Sequence, residues 1–179
     1  MGNVAVVFKS KYGHTKQYAE WISEELSCDL YEGSKISVEK MLEYDTIVYG
    51  GGLYASGILG VDIITKNYSR LKEKNITVFT VGLADPEIKS QFEPIIKKNF
   101  TEEMQNKFKI FHLRGGINYK ELGIVHKAMM AALKSMVKNK KEEEFTDEDR
   151  VMLETYGDKI EFMDRDTIEP IVSYARSLS

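Results

Sequence analysis

An unbroken apolar run, Val4-Ala5-Val6-Val7-Phe8, stops at Lys9-Ser10-Lys11-Tyr12-Gly13-His14-Thr15 and passes at once into a helical pattern. A run with no polar alternation is a strand covered on both faces, the habit of parallel sheets. Parallel strands need crossovers, so a buried strand followed directly by a helix commits the chain to βα units.

The rhythm continues. Tyr18, Ala19, Ile22 and Leu26 form a helical stripe over residues 14–27. Leu30-Tyr31 reads as a short second strand and Thr46-Ile47-Val48-Tyr49 as a third. A glycine-rich loop is expected over residues 50–57, then a helix over 60–74. Ile76-Thr77-Val78-Phe79-Thr80-Val81 is a fourth strand, ending at Gly82-Leu83-Ala84-Asp85-Pro86. A helix over 87–106 and a fifth strand, Phe108-Lys109-Ile110-Phe111-His112-Leu113, follow. The expected fold is α/β, a doubly wound five-stranded parallel sheet with helices on both faces and right-handed crossovers. At 179 residues the chain suits one domain.

Charge and composition narrow the function. A net charge of -3 gives no reason to expect nucleic acid. The one cysteine, Cys28, permits no intramolecular disulfide and reads as a packing residue. No charged leader precedes a long apolar stretch, and Val6 stands where a myristoylation signal at Gly2 needs Ser or Thr. No run reaches the length of a spanning helix, so the cytoplasm is the expected location.

The first loop outlines a phosphate cradle. A helix N-terminus offers unpaired N–H groups and a partial positive charge. Ser10 and Thr15 add hydroxyls, and Gly13 permits a tight turn. An ordinary helix cap fits this stretch equally well when it is taken alone. A Walker loop and a G-x-G-x-x-G pattern are both absent. Any cradle here therefore suits a single phosphate. Two further strand ends, at residues 50–57 and 82–86, lead into glycine-containing loops on the same sheet edge, where open α/β sheets bind ligands.

Ser10-Lys11-Tyr12-Gly13-His14-Thr15 followed by Ala19 resembles the flavodoxin motif for the FMN phosphate, S/T-x-T-G-x-T-x-x-x-A. Tyr12 replaces a threonine and His14 a common asparagine. The resemblance covers essentially the whole chain. It implies FMN as cofactor, with a phosphate loop of Ser10, Lys11, Tyr12, Gly13, His14 and Thr15. A second loop would comprise Gly51, Gly52, Leu53, Tyr54, Ala55 and Gly57, and a third Gly82, Leu83 and Ala84. A glycine of the second loop could turn its carbonyl toward the flavin at low cost; Tyr54 could cover a ring face, and a loop tyrosine half-exposed to water fits that position equally well. Within the family, Arg114-Gly115-Gly116-Ile117-Asn118-Tyr119 and Lys159-Ile160-Glu161-Phe162-Met163-Asp164 look like the menaquinone-dependent protoporphyrinogen oxidases. That group carries a long-chain-type helical insert, here about residues 117–157. Leu53-Tyr54 departs from its Arg-Tyr pair.

In the insert, Leu122, Val125, Met129, Ala132, Leu133 and Met136 repeat at helical spacing, with Lys127, Lys134 and Lys138 off the stripe. Amphipathic helices usually face their own core, so the stripe is expected to pack on the sheet. The competing reading is a surface for a quinone, a redox partner protein or an anionic membrane. His14, His112 and His126 have no metal-ligand spacing, and Trp21 reads as a packing residue. The functional expectation is FMN-dependent electron transfer. The alternatives are an oxidoreductase acting on protoporphyrinogen or a quinone, and a module of the same fold without FMN.

Overall fold

The computed structural model describes residues 3–54 and 56–178. Five parallel strands form the sheet: β1 (Val4–Lys9), β2 (Asp29–Glu32), β3 (Thr46–Tyr54), then β5 (Asn75–Gly82) and β6 (Lys109–Arg114). A short β4 (Gly57–Ile58) turns back antiparallel on the end of β3. The order is β2-β1-β3-β5-β6, a doubly wound sheet whose direction of winding switches between β1 and β3. The register sets Phe8 beside Gly50 and Phe79 beside Phe111.

Alternation along the strands builds two cores. Val4, Val6, Phe8, Val48, Phe79 and Val81 face one side. There they meet Tyr18, Ala19, Ile22 and Leu26 of α1 (His14–Leu26) and Ile171, Val172 and Ala175 of the last helix (Glu169–Ser177). Val7, Ile47, Tyr49, Ile76 and Val78 face the other. That side is covered by Met41 of α2 (Val38–Met41), Ile64 of α3 (Asp62–Thr65), Leu71 of α4 (Tyr68–Leu71) and Met104 of α6 (Glu102–Lys107). Helices therefore cover both faces, as the uniformly apolar strands require.

Two expected helices are broken. The stretch 60–74 divides into α3 and α4 at Asn67, whose amide Nδ2 donates to the Ile63 carbonyl. The stretch 87–106 holds α5 (Glu93–Asn99) and α6. Phe100 between them is extended, and the Thr101 hydroxyl accepts from Met104 N–H to start a new helix.

The chain divides into two compact units, Met1–Gly115 with Met163–Ser179, and Gly116–Phe162. The second holds α7 (Ile124–Lys138), α8 (Asp147–Thr155) and a two-stranded sheet of β7 (Gly116–Asn118) against β8 (Lys159–Glu161); the last helix, Glu169–Ser177, is α9. Tyr119 and Tyr156 pack ring to ring inside this unit. The methionine stripe of α7 is not its buried side. Val125, Ala132, Leu133 and Met136 are exposed and Met129 is half-buried, whereas His126, Met130 and Val137 are buried. The apolar arc of α7 is wider than one packing face, and its buried half carries His126.

Candidate functional site

The first loop turns tightly into α1. The Ser10 hydroxyl oxygen accepts from Gly13 N–H at 3.0 Å, which closes the turn and leaves the hydroxyl hydrogen to donate outward. Gly13 is left-handed at φ 97°, and a Cβ there would meet nothing within 4 Å. Its glycine therefore answers to backbone conformation, with open space in front of the loop. Gly13 caps α1 without any side-chain cap. The bond from Gln17 N–H to the Gly13 carbonyl opens the helical ladder, and the N–H groups of Thr15 and Lys16 precede it. Thr15 is buried at 3 % exposure. Tyr12 is exposed.

The second region differs from its expectation. Gly50, Gly51 and Gly52 are not a loop. They lie within β3, paired with Phe79, Thr80 and Val81 of β5. Close packing explains the glycines: a Cβ on Gly50 would enter the Phe79 ring, and one on Gly51 would collide with Ile58 and come within 2.9 Å of the Leu59 carbonyl. The Gly52 carbonyl is held by Leu59 N–H at 2.9 Å. A freely turning glycine carbonyl is therefore excluded at position 52. The true turn joins Tyr54 to Gly57, with Ser56 left-handed at φ 62°. Ala55, expected in this loop, lies outside the described residues.

Asn99 of α5 braces that turn, which sequence reading missed. Its Nδ2 donates to the Ser56 carbonyl at 3.0 Å, and its Oδ1 accepts from Ile58 N–H at 3.3 Å. Nothing in the sequence singles out one asparagine in a helix as the clamp of a hairpin 43 residues away.

The strand ends do come together. A Cβ on Gly52 would lie 3.3 Å from Thr15 Oγ1, so β3 runs directly beside the first loop. A Cβ on Gly82 would lie 3.0 Å from Leu53 Cδ1, so the second region packs on the third. A Cβ on Gly115 would lie 3.2 Å from His14 Cβ, so the end of β6 reaches the first loop as well. Lys11 Nζ lies 5.6 Å from the Tyr54 ring centroid and 5.8 Å from that of Tyr12. Arg114 Nε donates to the Leu83 carbonyl at 3.1 Å, and Gly115 N–H donates to the Gly82 carbonyl at 2.7 Å. Arg114 thus fixes the third loop, a role its sequence position alone did not reveal. Ala84 sits half-buried in that loop.

Beside the first loop lies a cleft of about 480 Å³, lined by Ser10, Lys11, Gly13, Lys16, Lys35 and Glu32 among others. Lys9 donates to Glu32 at 3.1 Å and, as the main cause, holds its carboxyl below the usual range. Lys35 also pairs with Glu32 at 3.6 Å, and Lys16 with Glu20 at 3.6 Å. On the other flank, His112 Nδ1 lies 2.7 Å from Thr80 Oγ1 and its ring stacks on Phe92 at 3.7 Å. Burial pushes that imidazole down to about 4 from 6.5, so it is neutral near pH 7. Among the described residues, no cluster of His, Cys, Asp and Glu could hold a metal, and no helix is long and apolar enough to cross a membrane.

Residues 5–144 match a family model described as a flavodoxin domain. No curated protein sequence matches the chain. Among solved structures it is similar to a flavodoxin from the domain Archaea, at 16% identity over 63% of this chain and 82% of that one, TM-score 0.45. It is also similar to oxidised Flavodoxin 1 from Bacillus cereus, at 15% identity over 63% and 84%, TM-score 0.45. A third is the flavodoxin, WrbA-like protein from Agrobacterium tumefaciens, at 21% identity over 55% and 74%, TM-score 0.41.

Proposed function

The chain belongs to the family of flavodoxin domains, and from that premise we propose that it binds FMN at the β1–β3 switch and serves in electron transfer. One observation carries the reading. The uncapped N-terminus of α1, the Ser10 hydroxyl and the buried Thr15 converge beside Gly52 where the winding of the sheet reverses. The donor set fits a phosphate monoester: hydroxyls and N–H groups, with Lys11 and Lys16 nearby and no carboxylate in the loop.

Ser10, Lys11, Tyr12, Gly13, His14 and Thr15 would hold the phosphate. Gly51, Gly52, Leu53, Tyr54, Ala55 and Gly57, with Gly82, Leu83 and Ala84, would border the ring. Bound FMN supplies the redox chemistry. The chain's part is to hold and shield. Leu53 packs close against Gly82, and Tyr54 offers an aromatic face beside the Lys11 ammonium. Arg114 and Asn99 hold the flanking turns in place, so little ordering is left for the moment of binding.

Oxidation of protoporphyrinogen or reduction of a quinone is a finer activity of the same site. Its support is the resemblance of residues 114–119 and 159–164, beyond the level of the family match. The test begins with flavin released by heat from purified protein and identified by chromatography. FMN is expected. Recovery of FAD contradicts the reading, and no flavin after reconstitution leaves a fold module without the cofactor. Turnover of the FMN-loaded protein with protoporphyrinogen and a quinone then separates enzyme from carrier.

A further inference from the structure

We propose that Tyr18 is a positioning residue of the flavin site, the side chain that ties the third loop to helix α1. Tyr18 is fully buried and lies one turn beyond Thr15 on α1. Its hydroxyl donates to the Arg114 carbonyl at 2.7 Å and accepts from Asp164 N–H at 3.2 Å. The chain leaves the sheet-bearing unit after Gly115 and rejoins it at Met163, so one oxygen holds the backbone beside both crossings. The return is well fixed. The Asp164 carboxylate accepts from Asp166 N–H at 2.9 Å, and its carbonyl accepts from the Thr167 hydroxyl at 2.6 Å. Asp164 therefore serves as the anchor, and the exit at Arg114 is what Tyr18 holds against it.

The exit bears on the third loop through a single peptide plane. The Arg114 carbonyl and Gly115 N–H belong to one rigid peptide unit and point to opposite sides of it. Tyr18 holds the carbonyl end, and the N–H end donates to the Gly82 carbonyl at 2.7 Å. Hydroxyl, peptide and carbonyl thus form one chain of hydrogen bonds, in which each bond polarises the next. Arg114 adds a second tie, from Nε to the Leu83 carbonyl at 3.1 Å. Gly115 is wedged between β5 and α1, since a Cβ there would meet Val81 Cγ1 at 2.8 Å and His14 Cβ at 3.2 Å. The carbonyls of Gly82 and Leu83 are therefore both committed to residues whose orientation Tyr18 sets. The role rests on the FMN reading: α1 opens at the phosphate end of the ligand, residues 82–84 would border its ring, and the hydroxyl fixes one against the other before binding. The oxygen alone carries that role. The ring of Tyr18 packs edge to face on Trp21 at 5.4 Å, a contact that Tyr18→Phe keeps.

Residue-resolved hydrogen exchange of the flavin-free full chain is the first test. In the wild type, Gly115 N–H should exchange slowly, and fast exchange there overturns the proposal without any variant. Tyr18→Phe should quicken exchange at residues 82–85 and 114–115 by roughly 5- to 100-fold, the effect of a buried hydrogen bond left unmade, while β1 and β3 keep their rates. Tyr44→Phe is the control. It removes another buried tyrosine hydroxyl, bonded to Asp29 at 2.6 Å, and should leave both segments unchanged. Flavin binding is the second test. Tyr18→Phe should weaken FMN and riboflavin by a like factor, because the loop acts on the ring that both carry, and should shift the visible absorption maxima of the bound flavin. Ser10→Ala should weaken FMN alone. Unchanged exchange in the two segments overturns the proposal. Quickening spread equally over β1 and β3 also overturns it, by assigning Tyr18 to the fold alone. A wild-type chain that takes up no flavin overturns the FMN reading, and the positioning role falls with it. Flavin uptake whose affinity and spectrum ignore Tyr18→Phe overturns the positioning role alone.

Discussion

Ser10 serves two ends with one hydroxyl: its oxygen closes the turn through Gly13 N–H, and its hydrogen remains to donate. Thr15 sits one step into α1, buried beside Gly52. Each hydroxyl would be a donor to a charged phosphate, so Ser10→Ala and Thr15→Ala should each weaken FMN binding by about 1–3 kcal/mol. Fluorescence titration with riboflavin, which lacks the phosphate, should show nearly no change. Equal losses for both ligands would assign the two residues to the fold alone. Their place at the turn into α1 was legible because hydroxyls around a glycine at a helix start form a local signal, readable within six positions. Asn99 and Arg114 were not, because each acts on backbone carbonyls of a distant segment that only the folded sheet brings near.

At the scale of elements, the strands were legible and the glycines between them were misread. Val, Ile and Phe runs declare a buried strand, but three successive glycines read locally as a turn. The sheet overrides that reading because the Phe79 ring occupies the place of a side chain at Gly50. Gly50→Ala should therefore cost about 1–3 kcal/mol of stability by overpacking. Gly33→Ala is the control, since its Cβ would meet only ordinary contacts, the nearest at 3.5 Å. Chemical denaturation of both variants decides the matter, and equal midpoints would remove the packing explanation. The broken helices have a similar lesson. Polar residues such as Asn67 and Thr101 satisfy helical ends as readily as helical interiors, and tertiary packing selects between the two.

Across the whole molecule, the doubly wound order was legible from the alternation of buried strands and helical stripes. The two faces follow from the strands' own alternation, with Val6 and Val7 feeding opposite cores. Which half of the apolar arc of α7 is buried was not legible, because a broad arc does not reveal it from periodicity alone. Stability should carry the mark of His112. Its folded value is about 4 against 6.5 when unperturbed, so between these values the unfolded chain binds the proton more readily. Stability contributed by the neutral imidazole is therefore complete above about pH 6.5 and is lost as pH falls toward 4, on the order of 1–3 kcal/mol. Melting temperatures of the wild type and His112→Asn across pH 7 to 4.5 check this, and the wild type should fall more steeply. Parallel profiles would remove His112 as the cause.

The central claim is that the strand-end cradle recognises the phosphate of FMN, and a paired calorimetric titration of the apoprotein with FMN and riboflavin tests it most directly. Phosphate held by hydroxyls, helix N–H groups and nearby lysines should bind FMN tighter than riboflavin by roughly 100-fold or more, with the gap narrowing as salt rises. Equal affinity for the two ligands, or binding of neither, would contradict the account.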